Sequence, residues 1–422
     1  METMDHAVAA ESQLDAAATA ARESARTLAQ SPAAQRNAAL QGMAEALRAA
    51  APAILAANGA DLAASQAGPA FRDRLTLNPA RIEAMARGLD EVAALPDPLA
   101  RVLADWTRPN GLRISRIAMP IGVIGMIYES RPNVGADAAA LCVKSGNAVI
   151  LRGGSDSALS AQAIAAALGA GLTQAGLPPA AVQVAPTTDR AFVAAMLAAS
   201  GRIDLLIPRG GRSLVERVQA EARVPVLAHA EGLNHTYIHE AADPDMARRV
   251  LANAKMRRTG VCGATETLLI DAAIAPRLLP LLIEDLAALG CAFHADARAR
   301  AILPALPAAD PGDFDTEWLD AVLSIAVVDG PAAALAHIAR HGSSHTDAII
   351  TEDAAVAEAF LAGIDSAVGL WNASTQFCDG GEFGFGAEIG IATGRIHARG
   401  PVGLEQLTTY RYLVRGQGQV RP

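Results

Sequence analysis

The amino-acid sequence predicts an α/β protein with two domains, each built on a parallel sheet. The chain has 422 residues, of which 51% are hydrophobic and only 4% aromatic. That much apolar content is more than one core usually absorbs, so two domains are expected. Short apolar runs alternate with helical patterns, and this order is typical of parallel sheets covered by helices on both faces.

The N-terminal region and the segment 95–110 differ in amino-acid composition. Residues 5–65 are rich in alanine with apolar positions at helical spacing, broken near Pro32 and Pro52. We therefore expect two or three helices there, with the prolines in first turns. The proline-containing segment 95–110 is predicted to be a loop.

Two series of predicted strands follow. The first series comprises residues 121–127, 148–151, 182–185, 204–207 and 224–228. The second comprises residues 236–239, 265–270, 323–328 and 347–351, again separated by helical patterns. The turn-rich segment AHAEGLNH lies between them, which predicts a domain boundary near residue 229.

Charge and cysteine content exclude several classes of protein. The formal net charge is −9 with no long run of either sign, which argues against nucleic-acid or anionic-membrane partners. The N-terminus carries no apolar signal-peptide core, and no stretch of 18 uncharged apolar residues is present. Four scattered cysteines are typical of reduced thiols in a cytoplasm.

Cys262 is the candidate nucleophile. It lies in RRTGVCGATETLLI, with two arginines upstream and glycines at 260 and 263. Cations lower a thiol pKa, and small neighbours leave space for a carbonyl group. The alternative is a buried structural cysteine, the commoner fate of a free thiol. Cys142, Cys291 and Cys378 fit that alternative better.

Two glycine-bearing turns are candidate phosphate sites. The segments ILRGGSDS and LIPRGGRSL each place an arginine and two glycines where a strand gives way to a helix. Backbone N–H groups there, with Arg152, Arg209 or Arg212, could hold phosphates. Neither turn has the G-x-G-x-x-G fingerprint, and each taken alone could be an ordinary strand-to-helix turn.

Histidines 229, 235 and 239 suggest a metal site at first sight. Residues 235 and 239 would share a face of a strand, whereas 229 is out of register. No carboxylate pattern completes a ligand set, so no metal is predicted.

Five segments together resemble the glutamate-5-semialdehyde dehydrogenases (gamma-glutamyl phosphate reductases) of the aldehyde dehydrogenase superfamily. They read YESRPNVGADAAALCVKSGNAVILRGG, DLLIPRGGRSL, NAKMRRTGVCGATETLL, NASTQFCDGGEFGFGAEIGI and HARGPVGLEQLTTY. The resemblance covers residues 10 to 415 in order. It implies NADPH-dependent reduction of L-glutamyl 5-phosphate to L-glutamate 5-semialdehyde, with phosphate release, in proline biosynthesis.

The resemblance also implies roles for individual residues. Cys262 would form a thioester, with its own N–H and the Asn133 side chain as oxyanion donors. Cofactor contacts would come from Arg152 (2′-phosphate), Gly210 and Gly211 (pyrophosphate) and Glu317 (nicotinamide ribose). The substrate anions would be bound by cations at three positions: Arg131, Arg258 and Arg399.

The same resemblance implies an aldehyde dehydrogenase-like domain plan. It gives an NADP(H)-binding domain (1–106 and 119–228), a catalytic domain (229–392) and a small β oligomerisation element (107–118 and 393–422). Strands at 112–118 and 407–414 are expected to pair and to form a homodimer or larger homo-oligomer. Because acyl phosphates are labile, transient contact with glutamate 5-kinase is a further hypothesis.

Three features depart from relatives or leave alternatives open. Gly263 stands where the family usually has asparagine, and Asn234 where a cysteine is common. The water-activating E-L-G-G-K block of hydrolytic relatives is altered to AEGLNHTYI, although Glu231 could still reach the site. A coenzyme A-acylating or hydrolytic relative, or an inactive scaffold with the same fold, remains an alternative.

Overall fold

The structure is a computed structural model, which describes residues 2–129, 131–229 and 231–421. In chain order the helices are α1 (Glu2–Gln30), α2 (Ala33–Ala49), α3 (Ala51–Ala64), α4 (Pro69–Leu75), α5 (Pro79–Ala94), α6 (Asn133–Lys144), α7 (Ala158–Gln174), α8 (Arg190–Leu197), α9 (Arg212–Glu221), α10 (Pro244–Met256), α11 (Ala275–Ala288), α12 (Ala297–Ile302), α13 (Gly330–His341) and α14 (Ala354–Gly363). The strands are β1 (Val102–Thr107), β2 (Arg113–Pro120), β3 (Val123–Tyr128), β4 (Ala148–Arg152), β5 (Val182–Val184), β6 (Leu205–Arg209), β7 (Asn234–Ile238), β8 (Thr265–Asp271), β9 (Ala292–Ala295), β10 (Val322–Val328), β11 (Thr346–Ile350), β12 (Val368–Trp371), β13 (Ile391–Ala392), β14 (Gly400–Pro401) and β15 (Thr408–Arg415). None of these helices is long and apolar enough to cross a bilayer.

The N-terminal helices confirm the predicted helical region. In α1 the buried positions recur at intervals of three and four residues, and this stripe packs against the first parallel sheet. Helix α5 begins with Pro79 in its first turn, and the Asn78 side chain accepts a hydrogen bond from the Arg81 N–H at 2.8 Å. A cap of this kind satisfies one of the free N–H groups of the first turn.

The first parallel sheet has the strand order β5-β4-β3-β6. Its central strands β3 and β4 are buried along their whole length, as expected for strands covered on both faces. The prediction of a strand at residues 224–228 was wrong: only an isolated bridge joins Val226 to Leu206. Pro225 lies inside this run and has no N–H to donate to a ladder.

The second parallel sheet has six strands in the order β12-β11-β7-β8-β10-β9. The four strands predicted in this region form its centre. The two edge strands, β9 and β12, were not predicted, because each has only four residues and shows no clear apolar period. A core between β8 and β10 and the helices α10 and α11 supports this sheet.

A third sheet is antiparallel, in the order β1-β2-β15. The predicted pairing of the two strand segments is confirmed, with Thr408 opposite Pro120 and Arg415 opposite Arg113. The prediction of a loop throughout residues 95–110 was wrong, because Val102–Thr107 is a strand of this sheet. The prolines of the segment 95–110 lie outside this strand. The domain boundary expected at residue 106 falls within the strand.

Candidate active site

Cys262 lies half-buried in the turn between α10 and β8. The turn is tied to the C-terminal part of the chain by Gln376, whose Nε2 donates to the carbonyl oxygens of Ala254 at 3.0 Å and Arg258 at 3.1 Å. Gln376 is 8% exposed, so these bonds are shielded from water. The loop that carries the thiol is therefore held in one position by a distant segment.

Gly232 lies directly against the backbone of Cys262. A β-carbon placed on Gly232 would lie 2.1 Å from the carbonyl oxygen of Cys262, so only glycine fits this close approach. Gly263, the departure from the family pattern, is different: a β-carbon there would have Thr375 O as its nearest neighbour, at 3.4 Å. A methyl group at position 263 is thus sterically acceptable next to Cys262.

Burial dominates the ionisation of the Cys262 thiol. It raises the pKa of the thiol to about 11, while the positive charge of Arg209 opposes this shift and the carboxylates of Glu388 and Glu317 add to it. Arg257 and Arg258, whose charges were expected from the sequence to lower this pKa, are exposed and are not among the main causes of the shift. Arg209, at the end of β6, is the cation that acts on the thiol.

Four arginines form a cationic cluster beside the site. The guanidinium of Arg131 has its pKa lowered, first by burial and then by the charges of Arg209, Arg74 and Arg258. Like charges raise each other's energy, so such a cluster is stable next to an anion. Two of the predicted substrate-binding residues, Arg131 and Arg258, are therefore brought together, and Arg209 and Arg74 join them.

Asn133 is the first residue of α6, at the carboxyl end of β3. Its Nδ2 donates to Asp137 at 3.2 Å. Burial raises the pKa of Asp137 to about 6, and the positive charge of Arg209 opposes the shift. Arg209 thus interacts both with this helix terminus and with the thiol. The proposed oxyanion role of Asn133 stays a prediction.

The Gly210–Gly211 turn connects β6 with α9. The N–H of Gly211 donates to the Glu129 carboxylate at 2.9 Å, and a β-carbon on Gly210 would lie 2.7 Å from that carboxylate. An anion therefore already occupies the N–H group that was predicted to hold pyrophosphate. Glu129 is exposed, so its side chain is free to give way to a phosphate.

Arg152 lies at the carboxyl end of β4 and borders a cavity of about 290 Å³. The Nη2 atom of Arg152 donates to Thr188 O at 2.8 Å, and Nη1 donates to Gly153 O. Its Nε is buried without a hydrogen-bond partner among the described residues. Burial lowers the pKa of Arg152, and the positive charge of nearby Arg190 also lowers it. Two cations therefore lie at this end of the sheet.

Glu317 and Glu231 have different partners near Gly232. The Oε1 atom of Glu317 accepts a hydrogen bond from the Gly232 N–H at 2.8 Å, which places this carboxylate beside the Cys262 backbone. Glu231 instead forms an ion pair of 2.9 Å with Arg212. Glu317 and Glu388, not Glu231, are the carboxylates whose charges act on the thiol.

Comparison with known proteins agrees with this site. The model of the aldehyde dehydrogenase family matches residues 2–299. A gamma-glutamyl phosphate reductase of Acidiphilium cryptum is 72% identical over 413 residues, 98% of either chain. The chain belongs to the gamma-glutamyl phosphate reductases of the aldehyde dehydrogenase family.

A solved structure from the same family has the same fold. It is the gamma-glutamyl phosphate reductase of Thermotoga maritima, with a TM-score of 0.95 and 40% identity over 97% of this chain and 100% of that chain. The family resemblance and the aldehyde dehydrogenase-like α/β fold expected from the sequence are thereby confirmed. The chain is an oxidoreductase of this family.

One predicted substrate residue lies in a different environment. The guanidinium of Arg399 donates to the carbonyl oxygens of Asp365 at 2.6 Å and Thr393 at 3.1 Å, and it also contacts the Asp365 carboxylate. These contacts fasten the segment before β14 to the segment before β12. A substrate role for Arg399 stays a prediction that its contacts do not support.

Sequence reasoning missed several neighbours of the thiol. His229 and His345 each place a ring nitrogen within 4.8 Å of the Cys262 sulfur and of each other. Cys378 belongs to the same apolar cluster as Cys262, and its pKa is raised first by burial and also by the charge of Cys262. Glu388 and Cys378 lie in the segment NASTQFCDGGEFGFGAEIGI, which was used for the family resemblance, and neither residue was predicted to lie near the thiol. The spacing of His229 and His345 along the chain did not predict that they meet at Cys262, because the residues are far apart in sequence.

Proposed function

We propose that the chain reduces L-glutamyl 5-phosphate to L-glutamate 5-semialdehyde, with NADPH as the reductant and release of phosphate, in proline biosynthesis. One observation carries this proposal. A half-buried thiol is influenced by an arginine of a cationic cluster, in a chain that shares 72% of its residues with a gamma-glutamyl phosphate reductase. A nucleophile beside cations suits a substrate that is both an electrophile and an anion.

The thiolate of Cys262 would attack the acyl carbon of the substrate. A carbon–sulfur bond forms, the bond between the acyl carbon and the phosphate oxygen breaks, and inorganic phosphate leaves with the electron pair. Because phosphate is a stable anion, little acid assistance is needed. The negative charge on the carbonyl oxygen needs preorganised donors, and the Cys262 N–H and the Asn133 amide are the proposed ones.

The cationic cluster would serve two purposes in that step. Arg131, Arg209 and Arg258 would balance the charge of the acyl phosphate, and Arg209 would also favour the thiolate over the neutral thiol. The thiol has its pKa raised to about 11 by burial, so few molecules carry the thiolate at neutral pH. Arg209 keeps that pKa from rising further, which increases the reactive fraction.

The residues at the carboxyl ends of β4 and β6 fit a nicotinamide dinucleotide with a 2′-phosphate. Arg152 has a buried Nε without a partner among the described residues and borders a cavity, with Arg190 close by. Gly210 has no side chain to obstruct an approaching phosphate. Arg152 would hold the 2′-phosphate, Gly210 and Gly211 the pyrophosphate, and Glu317 the nicotinamide ribose. NADPH, when bound, supplies the hydride that converts the thioester to the aldehyde.

Phosphate, not water, would be the acyl acceptor in the reverse direction. A water-activating base must reach the thioester, and the Glu231 carboxylate is held in an ion pair with Arg212. Burial raises the pKa of Glu317, against the hydrogen bond that its carboxylate accepts from the Gly232 N–H. The ion pair that holds Glu231 supports slow hydrolysis of the acyl enzyme.

The antiparallel sheet would form a homodimer or larger homo-oligomer. Strand β15 is at the sheet edge and exposes Tyr410 (49%), Tyr412 (53%) and Val414 (57%). Exposed aromatic side chains on an edge strand favour pairing with another chain. The expected result in sedimentation equilibrium is a single oligomer, and Tyr412→Lys is expected to dissociate it.

One assay tests the reaction. We expect NADP⁺ reduction with glutamate semialdehyde to require inorganic phosphate and to disappear in Cys262→Ala. Turnover at full rate without phosphate would contradict the proposal in favour of a hydrolytic enzyme. Dependence on coenzyme A would indicate an acylating relative, and activity in Cys262→Ala would exclude the thioester.

A further inference from the structure

We propose that His229, Cys262 and His345 form a binding site for a borderline-soft divalent cation such as Zn²⁺, whose binding blocks the nucleophile. One ring nitrogen of each histidine and the sulfur of Cys262 all lie within 4.8 Å of one another. Imidazole nitrogen and thiolate sulfur are the ligands that Zn²⁺ prefers. The three residues come from three segments that are distant in the chain, so no sequence motif predicts this site.

The distances are compatible with coordination after small rotations of side chains. With Zn–N bonds of about 2.0–2.1 Å and Zn–S bonds of about 2.3 Å, tetrahedral ligand atoms lie roughly 3.3–3.6 Å apart. The ligand atoms lie within 4.8 Å of one another, so the largest separation exceeds the required one by no more than about 1.2–1.5 Å. A turn about the χ angles of Cys262 or His229, which are only partly buried, covers such a difference.

Both histidines have a ring nitrogen available for a metal. The Nδ1 atom of His229 lies 2.8 Å from the carbonyl oxygen of Ile391, which can only accept a hydrogen bond. His229 must therefore carry its proton on Nδ1, and its Nε2 lone pair is free. A carbonyl acceptor on the other nitrogen is the usual outer partner of a zinc-binding histidine.

His345 provides the second, independent indication. Its side chain is fully buried, Nδ1 lies 2.9 Å from the Thr346 hydroxyl, and Nε2 has no hydrogen-bond partner in the described part of the chain. A buried polar atom without a partner is uncommon and costs free energy. A metal ion would satisfy this nitrogen.

The surroundings accept a cation. Val368 and Ile391 form an apolar cluster against Cys262, and Cys378 in the same cluster offers a second sulfur close to the first. The charges that act on the thiol are two carboxylates, Glu317 and Glu388, against one guanidinium, Arg209. Metal binding to the deprotonated thiol would thus add positive charge next to two carboxylates and to Arg209, whose charge also acts on His229.

Cobalt substitution tests the coordination directly. Co²⁺ added to the purified, reduced enzyme without substrate is expected to give a thiolate-to-cobalt charge-transfer band and the intense visible bands of a tetrahedral site, saturating at one ion per chain. Zn²⁺ should displace it. The bands should vanish when Cys262 is first alkylated in the folded protein, and His345→Gln should weaken binding by more than the roughly 10- to 100-fold that loss of an outer partner costs.

Matched variants separate this site from other metal-binding groups. His341→Asn alters another histidine of a close pair, with His337 at 4.6 Å between ring centroids, and Cys291→Ser removes another buried cysteine. Both variants should bind Co²⁺ as the wild type does. Bands that survive alkylation of Cys262, or that are lost in His341→Asn, would overturn the proposal.

Inhibition is the second readout. Micromolar Zn²⁺ should inhibit NADP⁺ reduction by the wild type, and a chelator should restore it. The ratio of rates with and without Zn²⁺ should move toward one in both His229→Asn and His345→Gln, whatever their basal rates. Equal inhibition of the wild type and both variants would show that Zn²⁺ binds the lone thiol, and would contradict the three-ligand site.

Discussion

The side-chain amide of Asn234 donates a hydrogen bond of 2.6 Å to the carbonyl oxygen of Cys262. The same nitrogen donates to Ala264 O at 2.9 Å, and the amide oxygen accepts from the Thr346 N–H at 3.1 Å. Asn234 begins β7, so its amide ties the turn that carries Cys262 to two strands of the second sheet. The departure from the common cysteine at this position thus fixes the backbone of Cys262.

Replacement of Asn234 by alanine should impair catalysis as well as stability. Two carbonyl groups and one N–H would lose their partner, at a cost of about 1–3 kcal/mol for each buried group left unpaired. The Cys262 turn would then shift, and a displacement of about 1 Å can lower a rate by roughly 100-fold. Steady-state kcat and urea unfolding measure the two effects.

Asn58→Ala is the matched control for that variant. Asn58 is also buried and makes three hydrogen bonds, to Leu75 O, Ser160 Oγ and the Leu77 N–H, in the N-terminal helical region. It should lose stability to a similar degree while kcat is retained. If Asn234→Ala were also to keep its kcat, the amide would have only a structural role.

Two glycines beside Cys262, the proposed nucleophile, should differ strongly in their response to alanine. A β-carbon at position 232 would overlap the carbonyl oxygen of Cys262 at 2.1 Å, whereas at position 263 its nearest neighbour is Thr375 O at 3.4 Å. We expect Gly232→Ala to lose roughly 100-fold or more in kcat and Gly263→Ala to stay within a few-fold of the wild type. Comparable losses in the two variants would show that the close approach to Cys262 is not what matters.

Arg209→Gln should make Cys262 less reactive at any given pH. Burial raises the pKa of the thiol to about 11, and Arg209 is the cation that opposes this rise. Without Arg209 the pKa moves further up, so the thiolate fraction at neutral pH falls. The pH profile of Cys262 alkylation, followed by peptide mass spectrometry, should shift to higher pH.

Arg212→Gln serves as the control for the alkylation profile. Arg212 is exposed and forms ion pairs with Glu216 and Glu231, and it does not contribute to the shift of the thiol. Its profile should match the wild type. A shift of equal size in both variants would mean that the net charge of the region, and not Arg209 itself, sets the pKa.

Lys255→Met should destabilise the fold through its buried partner Glu266. Lys255 Nζ and Glu266 Oε2 lie 2.5 Å apart, and both side chains are excluded from solvent. Loss of one partner of a buried pair typically costs about 3–5 kcal/mol. The double variant Lys255→Met/Glu266→Leu should recover much of that free energy of unfolding, and a double variant no more stable than the single one would refute this account.

The free energy of unfolding lost in Lys255→Met should also depend on pH. Burial raises the pKa of Glu266 from 4.5 to about 7, against the opposing charge of Lys255. A carboxyl group with a raised pKa in the folded state favours folding at low pH, and this contribution is lost as pH rises through that pKa. Urea unfolding of Lys255→Met should therefore show the largest deficit above pH 7 and a smaller one at acidic pH.

Much of the fold could be read from local patterns. The apolar runs of β3, β4, β8 and β10 and the helical spacing of α1 are properties of neighbouring residues, and they were predicted close to their observed bounds. The two errors have different causes. Tertiary pairing with β2 makes β1 a strand although prolines flank it, whereas in residues 224–228 a local signal, Pro225, prevents a ladder.

The sequence by itself determined the order of strands and helices, the family and the choice of Cys262. Those rest on short-range patterns and on ordered blocks of residues. Only the tertiary structure decided which groups surround the thiol: Arg209 as its cation, Asn234 as its anchor, and His229 and His345 beside it. The physical reason is that parallel crossovers bring strand ends together from segments far apart in the chain, and neither periodicity nor spacing along the sequence records such contacts.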